Sequence, residues 1–382
     1  MIDRQFTIDT LQELVRINSV NPDLEDGGAG EKEISEYIHR KLKDIGIESE
    51  LEELAPGRFN LTATLKGSGN GNSLMLNAHT DTVGIAGMDD PFSGNIVDGK
   101  LYGRGAYDMK ASIAAILAVG KAIIDHKLNL NGDLVLSFVA DEEYASIGAQ
   151  ALVRKLKTDA AIVTEPTDLN ICLAHRGFAI YNITTTGKTA HGGQHRLGID
   201  ANTKMGLLLA GIDKLARKLP DERKHPLCGE ASLHIPTIRG GRSLFIYSSE
   251  CHAQLERRTL PGETEESVES ELKQIIEKLR SDDAEFNATL ETELWRAPYE
   301  VDHNAKIVSD LGEAVQSVLG HPAENIGHTW WEDSAFFGKA GIETVIIGPK
   351  GGGIHEDVEW VELDSVVDLA TILLNSSQSY CK

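Results

Sequence analysis

The chain has 382 residues, 41% of them hydrophobic and 25% charged, and a formal net charge of −22. That length suits two domains rather than one, and the acidity excludes nucleic acid and anionic membrane as partners, because such surfaces are bound by clustered Lys and Arg that displace counterions. No run approaches the roughly 18 apolar residues of a membrane span, and Cys172, Cys228, Cys251 and Cys381 stand singly, so neither a disulfide framework nor a thiolate metal site is expected.

The N-terminal stretch MIDRQFTIDTLQELVRI is amphipathic and carries acids early. It has neither the basic segment nor the apolar core of a signal peptide, so a cytoplasmic protein is expected. Helical spacing marks 7–17 and 31–45, the latter with Ile34, Ile38, Leu42 and Ile45 in phase. Short apolar runs at 60–65, 74–77, 133–140, 160–163 and 344–347 read as buried strands, and the Ala-, Ile- and Leu-rich 110–124 reads as a helix between them. Alternating buried strands and helices predict an α/β sheet with helices on its faces. The Gly-rich 67–71 lacks the Lys-Ser/Thr and the following helix of a phosphate loop. Gly103-Arg104-Gly105 lacks the third glycine of a dinucleotide fingerprint, which argues against an oxidoreductase.

The middle of the chain has a different rhythm. Residues 178–186 alternate like a strand, 201–217 are helical, 232–239 and 244–255 are strand-like, 265–280 are helical and 286–293 alternate again. That β-α-β-β-α-β order is the signature of a ferredoxin-like unit. The expected architecture is therefore a catalytic α/β domain of residues 1–174 and 296–382, interrupted by a smaller ferredoxin-like domain of residues 175–295.

In open α/β sheets ligands bind at the carboxyl ends of the strands. After 74–77 comes His79-Thr80-Asp81; after 101–105, Asp108; after 134–140, Asp141-Glu142-Glu143; after 160–164, Glu165; after 344–348, His355-Glu356. Singly, each has an ordinary explanation as a solvated loop or a hydrogen-bonded histidine. Jointly, acids delivered to one edge would repel at heavy cost unless cations sat between them. With His79, Asp108, Glu143, Glu165 and His355 as ligands, three carboxylates and two neutral imidazoles balance two divalent ions and one hydroxide. A bridging carboxylate such as Asp108 holds two such ions roughly 3.5–4 Å apart. Imidazole and carboxylate donors suit zinc, with cobalt or manganese as substitutes. Asp81 lies two residues beyond His79, so in an extended stretch its carboxylate would accept the second ring N–H of that histidine. Glu142 and Glu143 are neighbours and point differently. Glu143 is assigned to metal and Glu142 to general base, an order that the residues alone leave open.

The stretches NAHTDTV (77–83), LYGRGAYDMK (101–110), VADEE (139–143), VTEPT (163–167), GKTAHGG (187–193), ERRTLPGE (256–263) and GPKGGGIHE (348–356) follow one another along nearly the whole chain. In them the sequence resembles the M20 metallopeptidase family, which includes acetylornithine deacetylase, succinyl-diaminopimelate desuccinylase, aminoacylase and a carboxypeptidase acting on glutamate-terminated substrates. The resemblance implies the same five ligands with Asp108 bridging, and Glu142 as the base. It further implies His191 as the group that stabilises the tetrahedral oxyanion, often supplied by a partner subunit's lid, and Arg258 as the holder of a substrate carboxylate, for which a guanidinium fork is suited. On the residues alone His191 reads as a turn residue beside Gly192-Gly193 and Arg258 as an ordinary strand-end arginine. Departures from the family pattern are Tyr107, Ala111, Glu256 and the aromatic tract 328–337 with Trp330, Trp331 and Asp333; none is a proposed ligand.

The expected activity is hydrolysis of an amide bond in a small N-acyl amino acid by a water that Glu142 activates, in the manner of acetylornithine deacetylase. A dipeptidase or carboxypeptidase of the same family is the nearest alternative. A non-catalytic binding protein on the same fold is the distant one, disfavoured because ligands and base are all present. The inserted domain is expected to act as a lid and to pair two copies into a homodimer.

Overall fold

In the computed structural model, which describes residues 1–85 and 87–382, the uninterrupted apolar runs form strands buried along their whole length: Leu74–His79, Leu134–Val139 and Ala160–Val163. Continuous burial, rather than alternation, is what a parallel strand covered on both faces requires. Leu74–His79 runs parallel to both of the others, and Glu343–Ile346 extends the parallel set beside Ala160–Val163. On the far flank the hairpin Ser49–Ala55 and Arg58–Leu65 joins antiparallel through Arg58–Leu65 to Leu134–Val139. Ser49–Ala55 carries alternating acids rather than an apolar run, and the sequence gives no sign of it.

These strands belong to a unit made of Met1–Leu173, Val301–Ile326 and Glu332–Lys382. Its innermost helix, Ala111–Asp125, is buried on nearly every side because its small Ala and Gly positions let strands and helices close around it. The helices Arg4–Arg16 and Leu363–Tyr380 pack against it. Arg4–Arg16 starts where the Asp3 side chain accepts from Phe6 N, satisfying one of the free first-turn donors. A second, four-stranded sheet in this unit runs in the order Gly351–Gly352, Trp360–Glu362, Lys100–Tyr102, Asn95–Val97. All four cysteines are buried and unpaired by disulfides. No helix among the described residues is long and apolar enough to cross a membrane.

The other unit is Ala174–Glu300 with Gly327–Trp331. Its chain order is Gly177–Thr186, helix Ala201–Glu222, Ser232–Gly240, Glu250–Thr259, helix Glu265–Asp282, Ala288–Arg296. The strands make one antiparallel sheet in the order Ser232–Gly240, Glu250–Thr259, Gly177–Thr186, Ala288–Arg296. Tyr181, Ile183 and Leu255 from the sheet meet Leu208, Ile212, Leu272 and Ile276 from the helices in a separate apolar core. Element ends shift by a few residues from the sequence pattern, most of all at two places. The strand expected at 244–255 is Glu250–Thr259, and the helix expected at 201–217 continues through Pro220 to Glu222. Gly327–Trp331 returns to this unit from far along the chain: the His328 carbonyl accepts from Arg176 N at 3.1 Å, and His328 stacks on Trp330 with ring centroids 4.1 Å apart.

Candidate metal centre

His79 is the last residue of its strand, Glu165 stands two residues past Ala160–Val163, and Glu142 and Glu143 follow Leu134–Val139, so three parallel strands deliver them to the same rim. Asp108 and His355 arrive otherwise than the sequence suggests. They follow Lys100–Tyr102 and Gly351–Gly352, strands of the smaller sheet and not of the main one. The turn Ala106–Lys110 begins at Gly105, whose φ of 77° is left-handed and where a Cβ would lie 2.7 Å from Thr82 Cγ2. The Asp108–Met109 peptide bond within this turn is cis.

The side chains converge. His79 Nε2 lies 3.0 Å from Asp108 Oδ1 and 3.6 Å from Glu165 Oε1. Asp108 Oδ2 is 3.2 Å from His355 Nε2, which is also 3.2 Å from Glu143 Oε2. The Asp108 carboxylate therefore presents one oxygen to each imidazole. Donor atoms of His79, Asp108 and Glu143 lie within 4.8 Å of one another, and so do those of His79, Glu142 and Glu165. Glu142, set aside by the sequence as base, thus stands among the potential ligands of the second group. Glu143 Oε1 is buried without a hydrogen-bond partner, a cost that a bound cation removes. The donor set fits divalent metal: imidazole nitrogens and carboxylates, in two groups that have His79 in common.

Asp81 departs from its expected role. His79 Nδ1 is 2.9 Å from the Asp81 backbone carbonyl but 3.6 Å from its carboxylate, so the peptide oxygen fixes the ring. The strand ends at His79, and the same-side projection of residues two apart no longer holds beyond it. The carboxylate instead accepts from Glu142 N at 3.1 Å, Glu143 N at 3.3 Å and Asn21 Nδ2 at 2.8 Å. Glu359, which no local pattern marks, does the same for the other loop: it accepts from Gly105 N, Tyr107 N and Asp108 N at 2.9, 2.8 and 3.0 Å, and from Arg104 Nη1 at 2.7 Å. Tyr107 is held by its hydroxyl, which donates to Asp168 at 3.1 Å.

The electrostatics match a cation site. Burial drives the carboxyls of Glu142 and Glu165 well above the usual range, and the charges of neighbouring acids add to it; the nearby His79 only partly offsets the rise. Glu143 moves the same way through burial and the Asp108 charge. Burial alone would raise Asp108 too, but hydrogen bonds from His355 and His79 outweigh it and hold this acid ionised. Hydrogen bonds to Asp108 and Glu143 raise the His355 imidazole to about 10. A ring facing two carboxylates is a place where any cation is favoured, proton or metal.

His191 and Arg258 belong to the other unit. His191 is exposed, and its Nδ1 accepts from Gly193 N at 3.1 Å, while Gly192 N donates to the Phe245 carbonyl at 2.7 Å. Arg258 sits on Glu250–Thr259, ion-paired with Glu256 and with its guanidinium 5.2 Å over the Phe178 ring.

Acids and imidazoles gathered beside the carboxyl rim of a mixed α/β sheet, most of them buried, are the arrangement of a metal-dependent hydrolase. Residues 75–378 match peptidase family M20/M25/M40, and the chain belongs to that family. It is 30% identical over 356 residues to the acetylornithine deacetylase of Edwardsiella ictaluri, covering 89% of each chain. Its fold is similar to that of aminopeptidase PepT from Bacillus cereus (TM-score 0.81, 19% identity, 100% of both chains) and to that of Bacillus subtilis YXEP protein, a dinuclear metal binding peptidase from the M20 family (TM-score 0.75, 16% identity, 98% of both chains). The chain is accordingly a hydrolase of amide bonds that depends on divalent metal.

Proposed function

We propose that this hydrolase removes the acyl group from a small N-acyl amino acid, as an acetylornithine deacetylase does. The observation that carries the assignment is the division of the Asp108 carboxylate between His79 and His355, with Glu143 and Glu165 on either side. His79, Asp108, Glu143, Glu165 and His355 would hold two divalent ions, with zinc the metal that best matches their donors. When bound, such a pair supplies Lewis acidity toward water and toward the substrate carbonyl.

The chain's own groups do the rest. Glu142 takes a proton from the attacking water and hands it to the departing amine; a buried carboxyl whose pKa is driven up is matched to both halves of that task near neutral pH. Asp81 orients His79 through its carbonyl and aims the Glu142-Glu143 backbone through its carboxylate. His191 would neutralise the oxyanion, and Arg258 would hold the substrate carboxylate as a two-pronged donor. The βαββαβ unit would serve as a ferredoxin-like lid that excludes water on closure and pairs two copies as a homodimer. The name of the 30%-identical relative favours a deacylase. Chromatographic assay of the metal-loaded protein against N-acetyl amino acids, N-succinyl amino acids and dipeptides tests the choice. Turnover of the acyl amino acids is expected; turnover of dipeptides alone would replace the proposal with a dipeptidase.

A further inference from the structure

Around the acids of the rim lies a second layer of charge, whose Asp81 carboxylate meets the Glu142 and Glu143 backbone and not their side chains. Arg58 is buried, and Glu31 grips it side-on, with Nε 2.7 Å from Oε2 and Nη2 2.8 Å from Oε1. Its Nη2 also donates to Asp141 Oδ1 at 2.6 Å, and Nη1 to Asp23 at 2.5 Å. Asp141 directly precedes Glu142 and holds a left-handed φ of 69°, a conformation that must be imposed by its surroundings. The Asn21 amide bridges the remaining gap, with Nδ2 2.9 Å from Asp141 and 2.8 Å from Asp81. Asp81 in turn receives the backbone N–H groups of Glu142 and Glu143. Asn60, two residues beyond Arg58 and so on the same strand face, accepts from Ala140 N at 3.0 Å and donates to the Gly148 carbonyl at 2.9 Å. Both ends of the loop 140–148 are therefore tied to one strand.

We infer that Arg58 and Asn21 are positioning residues for the hydrolytic reaction: the Arg58 fork fixes Asp141, the Asn21 amide locks Asp141 to Asp81, and together they set the direction in which Glu142 and Glu143 leave the backbone. Two carboxylates as close as Asp81 and Asp141 repel unless donors stand between them. The Asn21 amide is the donor that reaches both, and the Arg58 guanidinium adds its charge at Asp141. A point charge on a flexible stem does not reproduce the three-way geometry, so lysine is not a conservative replacement here.

The inference rests on Glu142 as base and Glu143 as ligand, and the experiment separates the two. Arg58→Lys, Asn21→Ala and Glu142→Gln are compared with the parent by steady-state kinetics, by cobalt(II) affinity in competition with a chelator, by the visible spectrum of the cobalt(II)-loaded protein and by thermal melting. Arg58→Lys is expected to lower kcat roughly 10–100-fold with KM within about twofold, to weaken cobalt(II) binding by about tenfold and to alter the cobalt spectrum; Asn21→Ala changes the same readouts in the same direction if Arg58→Lys does not fold. Lowered melting with parental kcat, cobalt affinity and spectrum would mean a merely structural network and overturn the inference. Full activity in Glu142→Gln would instead overturn the assignment of the base, whatever the Arg58 variant does.

Discussion

The two ends of the main sheet hold the same kinds of side chain in opposite circumstances. At the amino ends of the parallel strands Asp159 accepts from Ser73 N and Oγ, both at 2.7 Å, and Asp133 accepts from Gly67 N at 3.0 Å and Lys66 Nζ at 2.7 Å. Hydrogen bonds hold both carboxyls below their ordinary range, the Ser73 backbone N–H leading for Asp159 and Lys66 for Asp133. At the carboxyl ends Glu142, Glu143 and Glu165 are driven upward by burial and by the charges of neighbouring acids, Asp108 among them in every case. Acids that stabilise a fold are matched with donors, whereas acids kept for chemistry are crowded and left short of them.

Removal of metal is the severest way to break this contrast. Exhaustive dialysis against a chelator is expected to reduce hydrolysis to background and to lower the melting temperature by about 5–10 °C, since a ligand at 100 times its Kd contributes about 2.7 kcal/mol; readdition of zinc, cobalt or manganese restores both. Parental activity in demonstrably metal-free protein would refute the rim as a cation site. Glu142→Gln comes next, with an expected loss of about a thousandfold in kcat and little change in metal content by elemental analysis. Glu359→Gln, which weakens the cradle of three backbone N–H groups around Asp108, is expected to cost roughly 10–100-fold in kcat/KM. Mildest of all is Asp133→Asn at the opposite end. Its carboxyl is depressed in the folded protein, so its contribution is complete above the unfolded pKa of about 4 and fades as pH falls below it. Denaturant titration should find about 0.2–1 kcal/mol lost at pH 7, a loss that shrinks as the pH is lowered below about 4, and unchanged turnover at pH 7.

Much of the rim was legible because parallel strands advertise themselves. The runs at 74–77, 134–140 and 160–163 are apolar on both faces, and His79, Glu143 and Glu165 stand immediately after them. Asp108 and His355 were legible by residue type and motif, while their true support, a separate four-stranded sheet, depends on pairing between residues such as Leu101 and Val361 that no local period marks. The role given to Asp81 failed at a strand terminus, where periodicity stops applying. Arg58, Glu31, Asn21 and Glu359 stayed invisible for the same reason as one another: each acts across a large sequence separation, as in the Arg58–Asp141 and Arg104–Glu359 pairs, 83 and 255 residues apart.

The Glu359 cradle has a consequence for how the protein comes into being. Asp108 and the carboxylate that accepts its N–H are 251 residues apart, with the whole of Ala174–Glu300 made in between. A growing chain exposes the Gly105–Asp108 amides long before the ribosome supplies their acceptor, and His355 emerges only four residues ahead of it. The Asp108 loop can thus be closed only after the whole of Ala174–Glu300 has been made, when His355 and Glu359 arrive together.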